Sequence, residues 1–155
     1  MTTAALQLVV RRSPVSGLTP DGARIHFTMP SQVDCIEHAV SLVARHCLAG
    51  VAADDRLRFR LQVAVSEALA NAVVRGNGED PAKLVSIEAE LLPHHIVIHV
   101  SDEGPGFDPR EIPEPLTPDQ VCGTRGRGLF LIRKLVDDVC FNERGTTICM
   151  TLSRG

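Results

Sequence analysis

Apolar residues recur along this chain in two rhythms, and the changes of rhythm mark out its elements. In "ARIHFTMP" (23–30), Ile25, Phe27 and Met29 alternate with other residues, a period of two that predicts a strand with one buried face. Ser31, following Pro30, is expected to cap a helix. On that helix Val33, Ile36, Val40, Val43 and Cys47 recur at helical spacing, and Gly50 supplies the stop. A second helix is predicted from about Asp54 to Arg75, with Asp54 or Asp55 as cap and Gly76 as its end. Its apolar stripe is Leu57, Leu61, Val65, Leu69 and Ala72. The period of two returns in "KLVSIEAEL" (83–91) and "HHIVIHVSD" (94–102), two strands joined by a tight turn at Leu92, Pro93 and His94. Residues 104–127 show no period and read as a long loop. "GLFLIRKLVDD" (128–138) is a third, shorter helix, and "VCFNERGTTICMTLS" (139–153) closes the chain as a hairpin turning at Glu143, Arg144 and Gly145.

The order β, α, α, β, β, loop, α, β, β does not alternate as a doubly wound parallel sheet requires. It predicts an α+β protein, a two-layer α/β sandwich in which a mixed, mostly antiparallel sheet carries its helices on one face. Residues 1–22 stand apart as an N-terminal extension or arm. "SPVSGLTPDG" reads as a linker there, and "LQLVV" is either an edge strand or part of a loose arm. Residues 23–155 make the domain.

Composition narrows the function more than the fold. A chain of 155 residues is about one domain and can bury a core without covalent staples. Aromatic residues make up 3%, with no Trp and no Tyr, which disfavours a reader of single-stranded nucleic acid that stacks bases on rings. A net charge of -3 disfavours a general duplex binder, and Arg56, Arg58 and Arg60 read as a solvated helix face. No direct nucleic-acid contact is expected. No apolar run reaches the ~18 residues of a membrane span. In "MTTAALQLVVRRS" the apolar piece precedes the arginines, unlike a secretory signal. A cytoplasmic protein is therefore expected, with cysteines 35, 47, 122, 140 and 149 as reduced thiols, most of them small core residues.

Three stretches carry candidate chemistry. In "VAVSEALANAVV" (63–74) the polar residues are Ser66, Glu67 and Asn71, and the last two are four apart on one helix face, turned away from the apolar stripe. They are either a solvated pair or a carboxylate that orients water or accepts a proton, with an amide oxygen one turn on that binds a hard cation. "SDEGPGFDP" (101–109) ends a strand on Asp102 and follows it with Gly104 and Gly106. A plain turn has this composition, and so does a carboxylate set to accept a hydrogen bond from an exocyclic amine, beside backbone that approaches a flat ligand. "GTRGRGL" (123–129) places Gly126 and Gly128 before the third helix, with Arg125 and Arg127 beside them. That is a flexible linker or an anion site at a helix N-terminus. His95 and His99 lie on a strand, where four residues span roughly 13 Å, too far for one zinc ion.

Taken in order, E-x-x-x-N on a helix, D-x-G-x-G after a strand, G-x-G-L at a helix start and G-T on a last strand resemble the four nucleotide-binding boxes of the Bergerat-fold ATPases. The short form, with "SEALANAVVRGN", "DEGPGFDP", "GRGLFLIRKLVD" and "GTTICMTL", is most similar to the bacterial anti-sigma factor serine kinases, over residues ~23–154. The resemblance implies ATP or ADP with Mg²⁺ and no membrane. It implies a sigma factor and a small antagonist protein as partners, and a homodimer is common in this form. Glu67 would be the general base, Asn71 the Mg²⁺ ligand, and Asp102 the group that meets the adenine amine. Gly104 and Gly106 would shape the adenine pocket. Arg125, Gly126, Arg127, Gly128 and Leu129 would form the phosphate end, and Thr146 would support the adenine end. Phe107 to Gly123 would be a lid. The family often has His where this chain has Arg75, so Arg75 is assigned to phosphate or a partner. A module that binds nucleotide and regulates by occlusion alone is the alternative.

Overall fold

Alternation builds the sheet as expected. Strand β2 (Ala23–Pro30) turns Ile25, Phe27 and Met29 inward, β3 (Leu84–Leu91) turns Val85, Ile87, Ala89 and Leu91, and β4 (His95–Ser101) turns Ile96, Ile98 and Val100. With Met150 and Leu152 of β6 (Thr147–Ser153), these side chains are buried and form one wall of the core. Each large side chain so buried contributes about 1.5–3 kcal/mol. A short β1 (Arg11–Pro14) and β5 (Asp138–Phe141) complete six strands in the order β1-β2-β3-β4-β6-β5. Every pairing is antiparallel, so the expected mixed sheet is antiparallel among the described residues. This computed structural model describes residues 11–14, 23–49, 54–112 and 123–154, with side chains for 23–49, 54–112 and 127–154. "LQLVV", Gly50, Cys122 and most of the expected lid lie outside the described residues.

The helices supply the second layer. α1 (Ile36–Cys47) buries Ile36, Ala39, Val40, Val43, Ala44 and Cys47. Burial pushes the Cys47 thiol up to about 12, so it behaves as a small apolar core residue. α2 (Asp55–Ala70) is capped by Asp54, whose carboxylate accepts the N–H groups of Arg56 (3.0 Å) and Leu57 (3.3 Å). Its stripe is buried as the periodicity requires, widened by Ala64 and Ala68. No helix of the described residues is long and apolar enough to cross a membrane.

Three expectations are corrected. Ser31 does not cap α1: a 3₁₀ turn over Val33–Cys35 starts there instead, Val33 is 48% exposed, and Ser31 is wholly buried. The third helix, α3, runs Gly123–Leu135 and so begins five residues before Gly128, and the chain then enters β5 at Asp138. Arg60 is not a solvated residue of the α2 face. Its guanidinium donates to the Leu135 carbonyl at the end of α3 (2.5 Å) and pairs with Asp137 (3.2 Å). The Asp137 carboxyl is held below its usual range, first by the N–H of Ser153 and then, against some desolvation, by Arg60.

Beyond Ala70 the helix widens into a π turn, Asn71–Gly76, closed by the Asn77 N–H on the Ala72 carbonyl (2.8 Å). Asn77 is 3% exposed. Its amide donates to Ser31 Oγ (2.7 Å) and the Leu84 carbonyl (3.1 Å) and accepts from the Glu103 N–H (2.7 Å). Ser31 in turn donates to the Lys83 carbonyl (2.6 Å). The end of the helix is thereby fixed to the starts or ends of three strands. Asn77→Ala leaves several buried polar groups without partners, and we expect a loss of about 2–3 kcal/mol in urea unfolding. Ser31→Ala removes fewer bonds and should cost about half as much.

Candidate functional site

The end of α2 and its π turn carry the site. Glu67 lies one turn before Asn71, both half-buried, and together they face α3. At the closest point α3 has Gly128, where a Cβ would stand 2.9 Å from Glu67 Oε2 and 3.4 Å from Asn71 Nδ2. A side chain there would push the Glu67 carboxylate aside, so glycine leaves it in place. Among the described residues no hydrogen bond or ion pair engages the Glu67 carboxylate or the Asn71 side-chain amide. A half-buried carboxylate and an amide oxygen side by side under Gly128 are a proton acceptor beside a hard oxygen ligand, a donor set that fits Mg²⁺.

At the far end of the π turn, Asp102 leaves β4 and its carboxylate rests on the Cα of Gly76, where any Cβ would collide with it. Two bonds fix its position. Its N–H donates to the Thr146 carbonyl (2.9 Å), and its Oδ1 accepts from the Gly104 N–H (2.8 Å). Gly104 is itself pressed against the Gly76 carbonyl, closer than any side chain allows. Gly106 adopts φ +76° with its α-carbon against the Arg144 carbonyl, a left-handed conformation that other residues enter at a cost. Thr146 completes this wall. Its hydroxyl accepts from Asn142 Nδ2 (2.9 Å), its N–H donates to Asn142 Oδ1 (2.9 Å), and its methyl faces Gly106. The Phe107 ring packs edge-on against Phe141 at 5.3 Å.

The glycine-rich segment joins the site, though not in the manner its sequence suggests. Because α3 starts at Gly123, its first turn runs through Gly126, and the N–H groups at the very start of such a turn have no acceptor within the helix. Gly128 lies beyond that turn, and its contribution to the geometry is close approach. Leu129 is 4% exposed and anchors α3 to the core, and Arg127 is exposed. The side chain of Arg125 lies outside the described residues. Arg75 is exposed on the π turn. Of the expected lid, Phe107–Ile112 is described, with a 3₁₀ turn at Pro109–Glu111 capped by Asp108, and residues 113–122 lie outside the description.

Glu67, Asn71 and Gly128 thus meet at one end of the π turn, and Asp102, Gly104, Gly106 and Thr146 at the other. Gly76, Asn77 and Asn142 shape the same region and were not among the residues expected from sequence. Gly76 had been read as a helix stop, and no periodicity marks a buried asparagine in "RGNG".

Comparison with known proteins matches the chain to a family. The histidine kinase-like ATPase domain family matches residues 29–152. The chain is 36% identical to the serine-protein kinase RsbW of Oceanobacillus iheyensis over 122 residues, 70% of this chain and 76% of that protein. It is 36% identical to the serine-protein kinase RsbW of Bacillus subtilis over 139 residues, 82% of this chain and 83% of that protein. It is 34% identical to the anti-sigma F factor of Oceanobacillus iheyensis over 96 residues, 59% of this chain and 66% of that protein. With matches of this extent, the chain belongs to the histidine kinase-like ATPase family, among relatives of the RsbW serine-protein kinases.

Proposed function

We propose that the protein is a cytoplasmic anti-sigma serine kinase. It binds ATP, phosphorylates a serine on a small antagonist protein, and sequesters a sigma factor when that antagonist is spent. The observation that carries this reading is the meeting of Glu67 and Asn71 under Gly128, where a base and a cation ligand open on one cleft. The names of the relatives, serine-protein kinase and anti-sigma F factor, support the reaction and the partners.

Residue roles follow from chemistry at each end of the cleft. Asp102 offers a carboxylate to the adenine amine while Gly104 and Gly106 give the ring a flat backbone wall, supported by Thr146. At the other end the first turn of α3, which includes Gly126, faces the phosphates, with Arg125 and Arg127 adding positive charge. Leu129 holds that helix in place, and Arg75 serves phosphate or a partner at the exposed end of the π turn. Asn71 would hold Mg²⁺, which when bound neutralises charge on the triphosphate. Glu67 takes the proton of the serine hydroxyl as the serine oxygen bonds to the γ-phosphorus. The bond from that phosphorus to the bridging oxygen breaks, and ADP leaves. Two copies of the chain acting together fit the same scheme.

A second reading, regulation by nucleotide-dependent occlusion without catalysis, is favoured by Arg75 standing where the family often has His. Two measurements separate them. With radiolabelled ATP and the antagonist protein, the wild type should label serine. Glu67→Gln should lower that rate by about 10²–10⁴-fold with ATP affinity retained; a labelling rate equal to wild type would remove Glu67 from the chemistry. By calorimetric titration, Asp102→Asn should weaken ATP binding by about 10-fold or more, since one good hydrogen bond to a charged group contributes about 1.5–3 kcal/mol. An unchanged Kd would remove Asp102 from the adenine contact.

A further inference from the structure

The sheet face opposite the helices is open and polar, and one row across it is chemically distinctive. Direct strand partners place His26 beside Glu88, Glu88 beside His99, His99 beside Cys149, and Cys149 beside Cys140. Cys149 points away from the core because its neighbours Met150 and Leu152 point into it, and Cys140 on the edge strand β5 is exposed. Both are free thiols. Directly opposed residues in an antiparallel pair have Cα atoms about 4.5–5.5 Å apart, inside the roughly 4.4–6.8 Å range that a disulfide spans. His99 Nε2 is 4.0 Å from Cys149 Sγ. A groove of about 260 Å³ lined by His26, Glu88, His99, Ser101 and others opens on the same face, with room for a small polar reagent.

We propose that Cys140 and Cys149 form a dithiol modification site that hydrogen peroxide oxidises to a reversible cross-strand disulfide. Cys140, the exposed sulfur, attacks one oxygen of the peroxide; the O–O bond breaks, leaving a sulfenic acid on Cys140 and releasing water. The Cys149 sulfur then attacks Cys140, its proton leaves by way of His99 or solvent, and the hydroxyl departs as a second water. Two thiols lose two electrons in all, and one peroxide becomes two waters. The division of labour between the sulfurs has a separate support. The Cys149 thiol is pushed up to about 12, first by burial and then by its hydrogen bond to Cys140, so it keeps its proton while Cys140 meets the oxidant. The bond joins the two strands whose turn carries Thr146 against Gly106, so it stiffens one wall of the cleft.

Treating the full chain with hydrogen peroxide and mapping peptides without reduction tests this. The wild type should lose two thiols together and yield one linked pair, Cys140 with Cys149, restored by dithiothreitol. Cys149→Ser should instead hold a sulfenic acid on Cys140 that dimedone traps, and Cys140→Ser should keep Cys149 as a free thiol. The proposal is overturned if wild-type Cys140 survives as a free thiol, or if its sulfur is found joined to Cys122 or to a second chain. It is equally overturned if Cys140→Ser oxidises at Cys149 as fast as wild type.

Discussion

A single buried amide decides where the site can be. Asn77 makes three side-chain hydrogen bonds, and each goes to a different part of the sheet: the residue after β2, the start of β3 and the segment after β4. In a low-dielectric interior such a set is strongly directional, because any shift of the helix end leaves a donor or acceptor stranded. Gly76 precedes Asn77, so the clamp also fixes the surface on which the Asp102 carboxylate rests and the carbonyl against which Gly104 is pressed. The Asp102 end of the site inherits its geometry from a residue buried behind it.

The π turn is the consequence for the helix. Glu67 and Asn71 must look toward α3 while Gly76 and Asn77 must look toward the sheet, and one unbroken α-helix does not satisfy both bearings. Taking an extra residue into the last turn, with the Asn77 N–H reaching back five residues to Ala72, rotates the end relative to the body. Arg75 falls within this wider turn, so it does not stand one α-turn beyond Asn71 as the spacing alone implies. The poorer hydrogen bonding of such a turn is offset by the bonds that Asn77 makes immediately after it.

What the sequence disclosed follows from what periodicity measures. Alternation named the inward residues of β2, β3 and β4, because a half-buried strand leaves no other pattern. The stripe of α2 was equally plain, and both hairpin turns fell where Pro93 and Gly145 put them. The candidate site residues Glu67 and Asn71 on α2 and its π turn, and Asp102 just past β4, stood out as polar residues in apolar company. Four other features were not legible. Ser31 has the composition of a helix cap, and nothing local shows that it is taken by a partner 46 residues away. The start of α3 was placed too late because glycines and arginines have little helical signal of their own, and packing against α2 outweighs propensity there. Gly76 and Asn77 read as a helix stop because burial of a polar side chain is decided by distant strands. The opposed Cys140 and Cys149 were invisible for the same reason: nine residues apart in sequence, they become neighbours only through the register of β5 and β6.

The polar side chains divide by how completely the protein satisfies them. Asn77 and Ser31 in the interior, and Asp54 and Asn142 at the surface, each have partners within the chain, and each sets a local geometry. Glu67 and Asn71 are half-buried, yet among the described residues their side chains have no hydrogen-bond partner. Gly128 keeps a side chain off that carboxylate and so preserves the space in front of it. That contrast, more than the spacing of the motif, separates the residues that build this cleft from those that would work in it.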